Sequence, residues 1–198
     1  MEITSAISAV LGAFGLSGAA GLNAWLPLLA VGAADRLGWI ELGPSYGWLS
    51  STPALIVLAV IFVLDLIGDK IPAVDSVLHA VGTLIAPASG AILFTAETSL
   101  SSNLPPAVAA ILGAITAGGV HASRTVARPF VTGTTAGVGN PVVSTAEDGT
   151  SLVLTILALA VPVVAFVLVL VLLAVLGWLT YRAIRWARGR RKTDVGGP

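Results

Sequence analysis

The chain has 198 residues, of which 56% are hydrophobic and only 10% are charged, and its formal net charge is zero. Soluble proteins carry roughly 25% charged residues, so this composition excludes an ordinary soluble domain and predicts an integral membrane protein. There is no cysteine, which excludes disulfides, thiolate metal sites and cysteine nucleophiles. A basic cluster follows the last apolar run, and the positive-inside rule predicts that this tail is cytoplasmic. Its members are Arg182, Arg185, Arg188, Arg190, Arg191 and Lys192.

The first apolar region runs from Ile3 to Ala34 without a charged residue, and it is too long for one regular span. As a straight helix it would reach about 48 Å, whereas the hydrocarbon core of a bilayer is about 30 Å thick. Its middle reads GLSGAAGLNAWLP, in which the glycines, Asn23 and Pro27 weaken or break a helix. We therefore predict a broken helix or a re-entrant hairpin, whose bare backbone must be buried in protein or line a cavity.

Four further spans are predicted, over residues 53–68, 76–96, 105–126 and 151–178. Pro53 suits the start of a helix. Pro72 disfavours helical geometry at the residue before it, so we expect the chain to turn within DKIPAVD. Residues 97–104 are predicted to form a polar loop, and residues 129–149 are too rich in Gly and Thr to predict a span. Pro162 lies inside the last predicted span.

Two Gly-rich segments resemble each other, SGAAGLNAWLP at 17–27 and TGTTAGVGNPV at 132–142. Paired, Gly- and Pro-interrupted segments in the two halves of a chain are typical of transporter-like binding sites. A chance match between low-complexity stretches is the alternative. The predicted fold is an all-α bundle of about five transmembrane spans, with a broken first segment and a second Gly-rich broken segment. It forms one transmembrane domain over 1–180, followed by the basic cytoplasmic tail over 181–198.

Charged residues gather in LDLIGDKIPAVDSVLH, between two apolar runs. Asp65 and Asp69 are four residues apart and share one helical face, and Asp75 and His79 have the same spacing. Such groups suit a proton relay, a hard-cation site or a divalent metal site, for which Asp69, Asp75 and His79 are the candidate ligands. A charge deep in a bilayer costs roughly 2.5–3.5 kcal/mol and therefore indicates function. The alternative is that Asp69, Lys70 and Asp75 lie in a wet turn, with Asp75 capping the next helix.

His121, Arg124 and Arg128 have the spacing of one helical face. They can neutralise the acids or bind an anion such as a phosphate group. The alternative is an interfacial helix end with arginines that extend towards water.

Glu147 and Asp148 precede the last predicted span and suit a helix N-terminus, with Ser144 or Thr145 as its cap. The alternative is a binding site that they share with Asn140 and Ser144. Asn23, in the first Gly-rich break, completes the set of candidate binding residues.

No enzyme motif is complete. Leu66 stands where intramembrane aspartyl proteases have the first glycine of Gly-x-Gly-Asp. Asp65-x-x-x-Asp69 is similar to the end of the phosphatidyl-alcohol transferase motif, but Ile61 occupies a required glycine position. There is no P-loop, no G-x-S-x-G and no H-E-x-x-H. We therefore expect no enzyme and no cofactor.

Three segments occur in order along the chain: AGLNAWLPLLAVGAADRLG, DKIPAVDS and GNPVVSTAED. Together they resemble a bacterial and plastid membrane-protein family, domain of unknown function 4126, over about residues 10 to 175. The segment from His121 to Arg128 is similar to the family's His…Arg segment, whereas TGTTAGVG departs from its pattern. The resemblance implies the fold and a set of site residues but no activity. Those residues are Asp69, Lys70, Pro72, Asp75, Asn140, Ser144, Glu147 and Asp148.

These features predict a small transporter or channel in the inner (plasma) membrane, acting on an ion or small polar solute through its acidic and histidine cluster. Handling of a lipid or another anionic headgroup is one alternative, and a non-transporting scaffold or assembly factor is another. The expected partners are the lipid bilayer, the ion or solute, and a second copy of the chain, with no nucleic acid. With a cytoplasmic tail, the N-terminus lies outside if each of five spans crosses once, and inside if the first region is a hairpin.

Overall fold

The computed structural model describes residues 2–68, 72–135 and 138–194, which are mostly helical, are joined by loops and contain no strand. Five of the helices are long and apolar enough to cross a membrane, and α3 is a shorter apolar helix. The chain is therefore a multi-pass integral membrane protein with an all-α fold, as its composition predicts. In chain order the helices are α1 (Glu2–Leu22), α2 (Trp25–Arg36), α3 (Thr52–Gly68), α4 (Pro72–Thr98), α5 (Pro106–Thr135), α6 (Asn140–Ala160) and α7 (Pro162–Asp194).

The predicted break in the first apolar region is confirmed, and it is a hairpin. Helix α1 ends at Leu22 and α2 begins at Trp25. Leu28 of α2 belongs to the same buried cluster as Ala20 of α1. Beyond α2, Gly43 lies against Ser99 at the far end of α4, so the chain has returned to the end of the bundle at which α1 begins.

Helix α1 is the centre of the bundle, because its small residues let several helices approach it closely. A Cβ atom at Gly15 would come within 2.8 Å of the Cβ atoms of both Ala158 in α6 and Ala165 in α7. On another side, the Ser17 hydroxyl donates a hydrogen bond to the carbonyl of Gly90 in α4, at 3.1 Å. Small residues at such contacts are the usual means of packing helices in membranes.

The prediction of a single last span over 151–178 is wrong. The helix is interrupted at Val161 (φ −142°, ψ 72°), and Pro162 begins α7. Proline cannot donate the backbone hydrogen bond that would continue α6. Ser151 of α6 and Val169 of α7 both contact the second half of α1, so α6 and α7 form an antiparallel hairpin.

Three other predicted boundaries also differ from the structure. Within the Gly- and Thr-rich region 129–149, residues 129–135 form the end of α5 and residues 140–149 form the first part of α6. Helix α5 continues to Thr135, well past its predicted end at 126. The loop predicted over 97–104 begins two residues later, because Glu97 and Thr98 still belong to α4.

The end of the bundle that contains Asn23 is the break end, and the opposite end, which contains Ser99 and Val161, is the loop end. Helices α1, α3, α5 and α7 run towards the break end, and α2, α4 and α6 run away from it. The N-terminus is thus at the opposite end from the C-terminal half of α7, although the first region is a hairpin. A hairpin in the first region was expected to bring both termini to the same side of the membrane. This prediction is wrong, because the turn at Val161 divides the last predicted span into α6 and α7 and so adds one more crossing.

Candidate functional site

Asn23 is the centre of a polar cluster at the break end, and only 3% of its surface is exposed. Its amide nitrogen donates to Asp65 Oδ2 of α3 at 3.1 Å and to Asp148 Oδ1 of α6 at 2.9 Å. Its amide oxygen accepts from the backbone N–H groups of Trp25 and Leu26, both at 3.1 Å. One side chain therefore holds the first turn of α2 and joins it to two other helices.

The shared amide brings two carboxylates from distant parts of the chain together. Asp65 lies near the end of α3, and Asp148 lies in the third turn of α6. Both are half-buried, and each accepts one hydrogen of the same –NH₂ group. The break thus holds two carboxylates beside one shared donor, and carboxylate oxygens are ligands that hard cations prefer.

A second group of charges lies beside this pair. The guanidinium groups of Arg124 and Arg128 both donate to Glu147 Oε2 at 2.8 Å, and these three side chains are between 9% and 13% exposed. Arg124 also donates to the carbonyl of Leu22, at the last turn of α1. A cation at a helix C-terminus complements the helix dipole, so Arg124 stabilises the end of α1 as Asn23 stabilises the start of α2.

A small cavity of about 50 Å³ lies next to the break, with Asn23, Asp65, His121 and Arg124 in its wall. Its other walls are largely apolar residues of α1, α2 and α4. One water molecule needs roughly 10–15 Å³ of such volume, so the cavity has room for a few waters or one small cation. The His121 ring packs on α4, where a Cβ atom at Gly82 would come within 2.7 Å of its Cε1 atom.

The structure brings seven of the predicted site residues together, and we call them the break cluster. They come from five segments of the chain: the break itself, α3, two turns of α5 and one turn of α6. Their convergence at one end of the bundle is what a binding site requires. The members are Asn23, Asp65, His121, Arg124, Arg128, Glu147 and Asp148.

The remaining predicted site residues are placed differently. Asn140 accepts a hydrogen bond from the Thr132 hydroxyl at 3.1 Å, between the end of α5 and the start of α6. Ser144 is buried on α6, one turn before Asp148. Ser144 and Thr145 do not cap α6, and Glu147 and Asp148 do not start it, because the helix begins at Asn140.

The predicted metal ligands lie mostly outside the described structure. Asp69 and Lys70 fall outside the described residues. For Asp75 and His79 only the backbone is described, as part of α4. Within residues 2–68, 72–135 and 138–194, no three His, Asp or Glu side chains are grouped so that they could hold a metal ion. The metal site therefore stays a prediction.

Residues 10–182 match the family described as Domain of unknown function (DUF4126). The chain belongs to this family. The resemblance predicted from three short segments is thereby confirmed, and the family description names no activity. No curated protein and no solved structure matches the chain. In this DUF4126 protein the segment GNPVVSTAED contributes Glu147 and Asp148 to the break cluster, while Asn140 joins α6 to α5.

Proposed function

We propose that the protein is a small transporter that carries a proton or a small cation across the inner membrane, with Asp65, Asp148 and Asn23 as its coupling site. The observation that carries this proposal is the convergence of two carboxylates on one amide, at a helix break and beside a cavity. Ionisable residues inside a membrane bundle are costly and mark ion pathways. Broken helices at such positions supply the ion sites of many transporters.

The direction of access follows from the basic tail. Helix α7 runs towards the break end and carries Arg182 and Arg185 beyond its apolar part. By the positive-inside rule these arginines are cytoplasmic, so the break cluster lies at the cytoplasmic end. In the proposed cycle, an ion from the cytoplasm reaches the carboxylate pair through the cavity beside Asn23.

The lipid-headgroup alternative receives less support from the same geometry. It requires Arg124 and Arg128 to meet an anionic group, yet both donate to Glu147 and both are about one-tenth exposed. A headgroup would have to displace Glu147 and reach side chains that are covered by neighbouring helices. Asp65 of the carboxylate pair, by contrast, lines the cavity directly and is half-buried.

The test is flux in reconstituted vesicles with separate arms for H⁺, Na⁺ and K⁺ gradients, each read with a trapped dye selective for the ion of that arm. We expect the wild type to give flux well above that of empty vesicles in one arm. Asp65→Asn and Asp148→Asn keep the shape of the side chain and remove its charge, so each should lower this flux at least about tenfold. Glu41→Gln, an exposed acid in the connection between α2 and α3, is the matched control and should match wild type.

Two results would overturn the proposal. The first is wild-type flux no greater than that of empty vesicles in all three arms. The second is flux that persists at the wild-type rate in the Asp65→Asn/Asp148→Asn double variant. Size-exclusion profiles of all variants, taken before reconstitution, separate loss of transport from loss of folding.

A further inference from the structure

Glu97 is an acid inside the bundle that the break cluster does not use. It lies in the last turn of α4, within the apolar span Ala80–Thr98, and so at the loop end. Its side chain points at α1, where a Cβ atom at Gly12 would come within 3.3 Å of Glu97 Oε1. Within the described residues no hydrogen bond or ion pair to this carboxylate is found. The side chain is half-buried.

A second hydrogen-bond acceptor lies beside the Cβ position of Gly12. The carbonyl oxygen of Ala158, in α6, lies 3.1 Å from the Cβ position of Gly12. In a continuous helix this carbonyl would accept from the N–H of residue 162, four positions on. Residue 162 is proline, which has no N–H. The Ala158 carbonyl and the Glu97 carboxylate therefore face each other across a gap that Gly12 leaves open.

We propose that Glu97 is a proton-binding site whose protonated carboxyl donates a hydrogen bond to the Ala158 carbonyl. An ionised carboxylate only accepts hydrogen bonds, whereas the protonated acid has one O–H donor. Hydronium in the water at the loop end supplies the proton: one of its O–H bonds breaks, the O–H bond of the carboxyl group forms, water is released, and no oxidation or reduction takes place. The site stands on its own geometry and does not depend on transport through the break cluster.

A proton suits this place better than a metal cation. Calcium takes six to eight oxygen ligands, and magnesium needs a near-octahedral set, whereas the oxygens among the three atoms nearest to the Gly12 Cβ position are one of Glu97 and the carbonyl of Ala158. One side of this end of α4 packs against apolar residues, with Ala13 of α1 and Ala109 of α5 in one cluster with Phe94.

The other acids near this part of the chain are engaged or exposed. Asp35, near the end of α2, accepts from the Leu42 backbone N–H at 2.9 Å, and Glu41, in the connection between α2 and α3, is exposed. Neither Gly12 nor Ala158, the residues that face Glu97 from α1 and α6, carries a titratable side chain. Protonation at this site is therefore expected to follow Glu97 alone.

The test is infrared difference spectroscopy of the purified full-length protein as the pH is lowered, which detects the C=O stretch of a carboxylic acid. We expect the wild type to gain a hydrogen-bonded carboxylic band that Glu97→Gln lacks. The glutamine amide can still donate to Ala158, so this variant should fold. Glu41→Gln is the matched control and should keep the band.

A second variant keeps the Glu97 carboxyl group and separates it from the Ala158 carbonyl. In Gly12→Ala the added methyl group would lie within 3.1 and 3.3 Å of the two oxygens and should force them apart. The carboxylic band should then move to the higher frequency of an acid without a hydrogen bond. This result would place the Glu97 proton at the Ala158 carbonyl even if Glu97→Gln folded poorly.

Two results would overturn the inference: an identical carboxylic band in wild type and Glu97→Gln, or loss of the wild-type band when Na⁺ or K⁺ is added at constant pH. The second would identify a metal-cation site instead. Vesicle flux is a separate measurement, so a protein that shows the band and no flux keeps the Glu97 site and loses the transport proposal.

Discussion

Asn23→Ala is the substitution that tests the break cluster most directly, because it removes four hydrogen bonds at once. The alanine cannot donate to Asp65 or Asp148, and it cannot accept from the first N–H groups of α2. The substituted site is almost fully buried, so water cannot easily replace the lost partners. We expect the hairpin of α1 and α2 to loosen and the two carboxylates to lose the donor that they share.

The magnitude follows from these contacts. Loss of a side-chain cap at a helix start costs about 1 kcal/mol. Hydrogen bonds to charged groups contribute roughly 1.5–3 kcal/mol each in soluble proteins, and bonds inside membrane bundles average nearer 0.6 kcal/mol. Taking the two bonds to Asp65 and Asp148 at about 1 kcal/mol each, we expect the free energy of unfolding to fall by about 3 kcal/mol.

The assay is reversible unfolding in mixed micelles by added SDS, followed by far-ultraviolet circular dichroism. Asn103→Ala, an exposed asparagine in the loop between α4 and α5, is the matched control and should change the free energy of unfolding by less than about 0.5 kcal/mol. Asn23→Asp separates the two roles, because it keeps the acceptor for α2 and adds a third carboxylate. Its destabilisation should therefore shrink as the pH is lowered and the acids take up protons.

A loss of less than about 1 kcal/mol in Asn23→Ala would refute this reasoning, since a single ordinary hydrogen bond is worth that much. A pH-independent loss in Asn23→Asp would contradict the claim that Asp65 and Asp148 are its charged neighbours.

Two further substitutions test the packing and the charges. In Gly113→Ala the new Cβ would overlap the carbonyl oxygen of Gly90, so α4 and α5 must separate at a cost of about 1–3 kcal/mol by SDS unfolding. Gly119→Ala, in open space on the same helix, should be neutral or stabilising by up to about 1 kcal/mol, and equal losses would argue against this contact. Glu147→Gln leaves two nearly buried guanidinium groups without their carboxylate and should cost about 3–5 kcal/mol. The same change made together with Arg128→Gln should cost less, and strictly additive losses would contradict the shared ion pair.

The break at Asn23 could be predicted from the sequence, because 32 uncharged residues cannot form one span and the glycines mark where the helix ends. The turn at Val161 could not be predicted in this way. The apolar run continues through Pro162, and a proline inside such a run is compatible with either a kink or a turn. The sequence does not predict the first half of α6 as part of a span, because Glu147 and Asp148 lower the hydrophobicity of this half. Both acids belong to the break cluster.

The membership of the break cluster was only partly predictable. His121, Arg124 and Arg128 share a helical face, as their spacing indicates. The contact of Asn23 with Asp148 joins residues 125 positions apart and depends on α6 lying antiparallel to α1. The two Gly-rich segments resemble each other in sequence, but their asparagines have different roles. Asn23 donates to two carboxylates, whereas Asn140 accepts a hydrogen bond from Thr132. The sequence does not predict Glu97 as a site residue, because the predicted span ends at residue 96, whereas α4 continues to Thr98.

The hairpin of α6 and α7 also determines the order in which the protein can be inserted during synthesis. Helix α6 carries Glu147 and Asp148, and an acid at the centre of a span costs about 2.5–3.5 kcal/mol on insertion scales. Helix α7 has no charged residue from Pro162 to Tyr181, so it inserts readily and brings α6 with it across the short turn. We therefore expect α6 to become a transmembrane helix only after α7 has left the ribosome. Asp148 then meets Asn23 only after α7 has been inserted, and a chain released before that step contains the helix break without its second carboxylate.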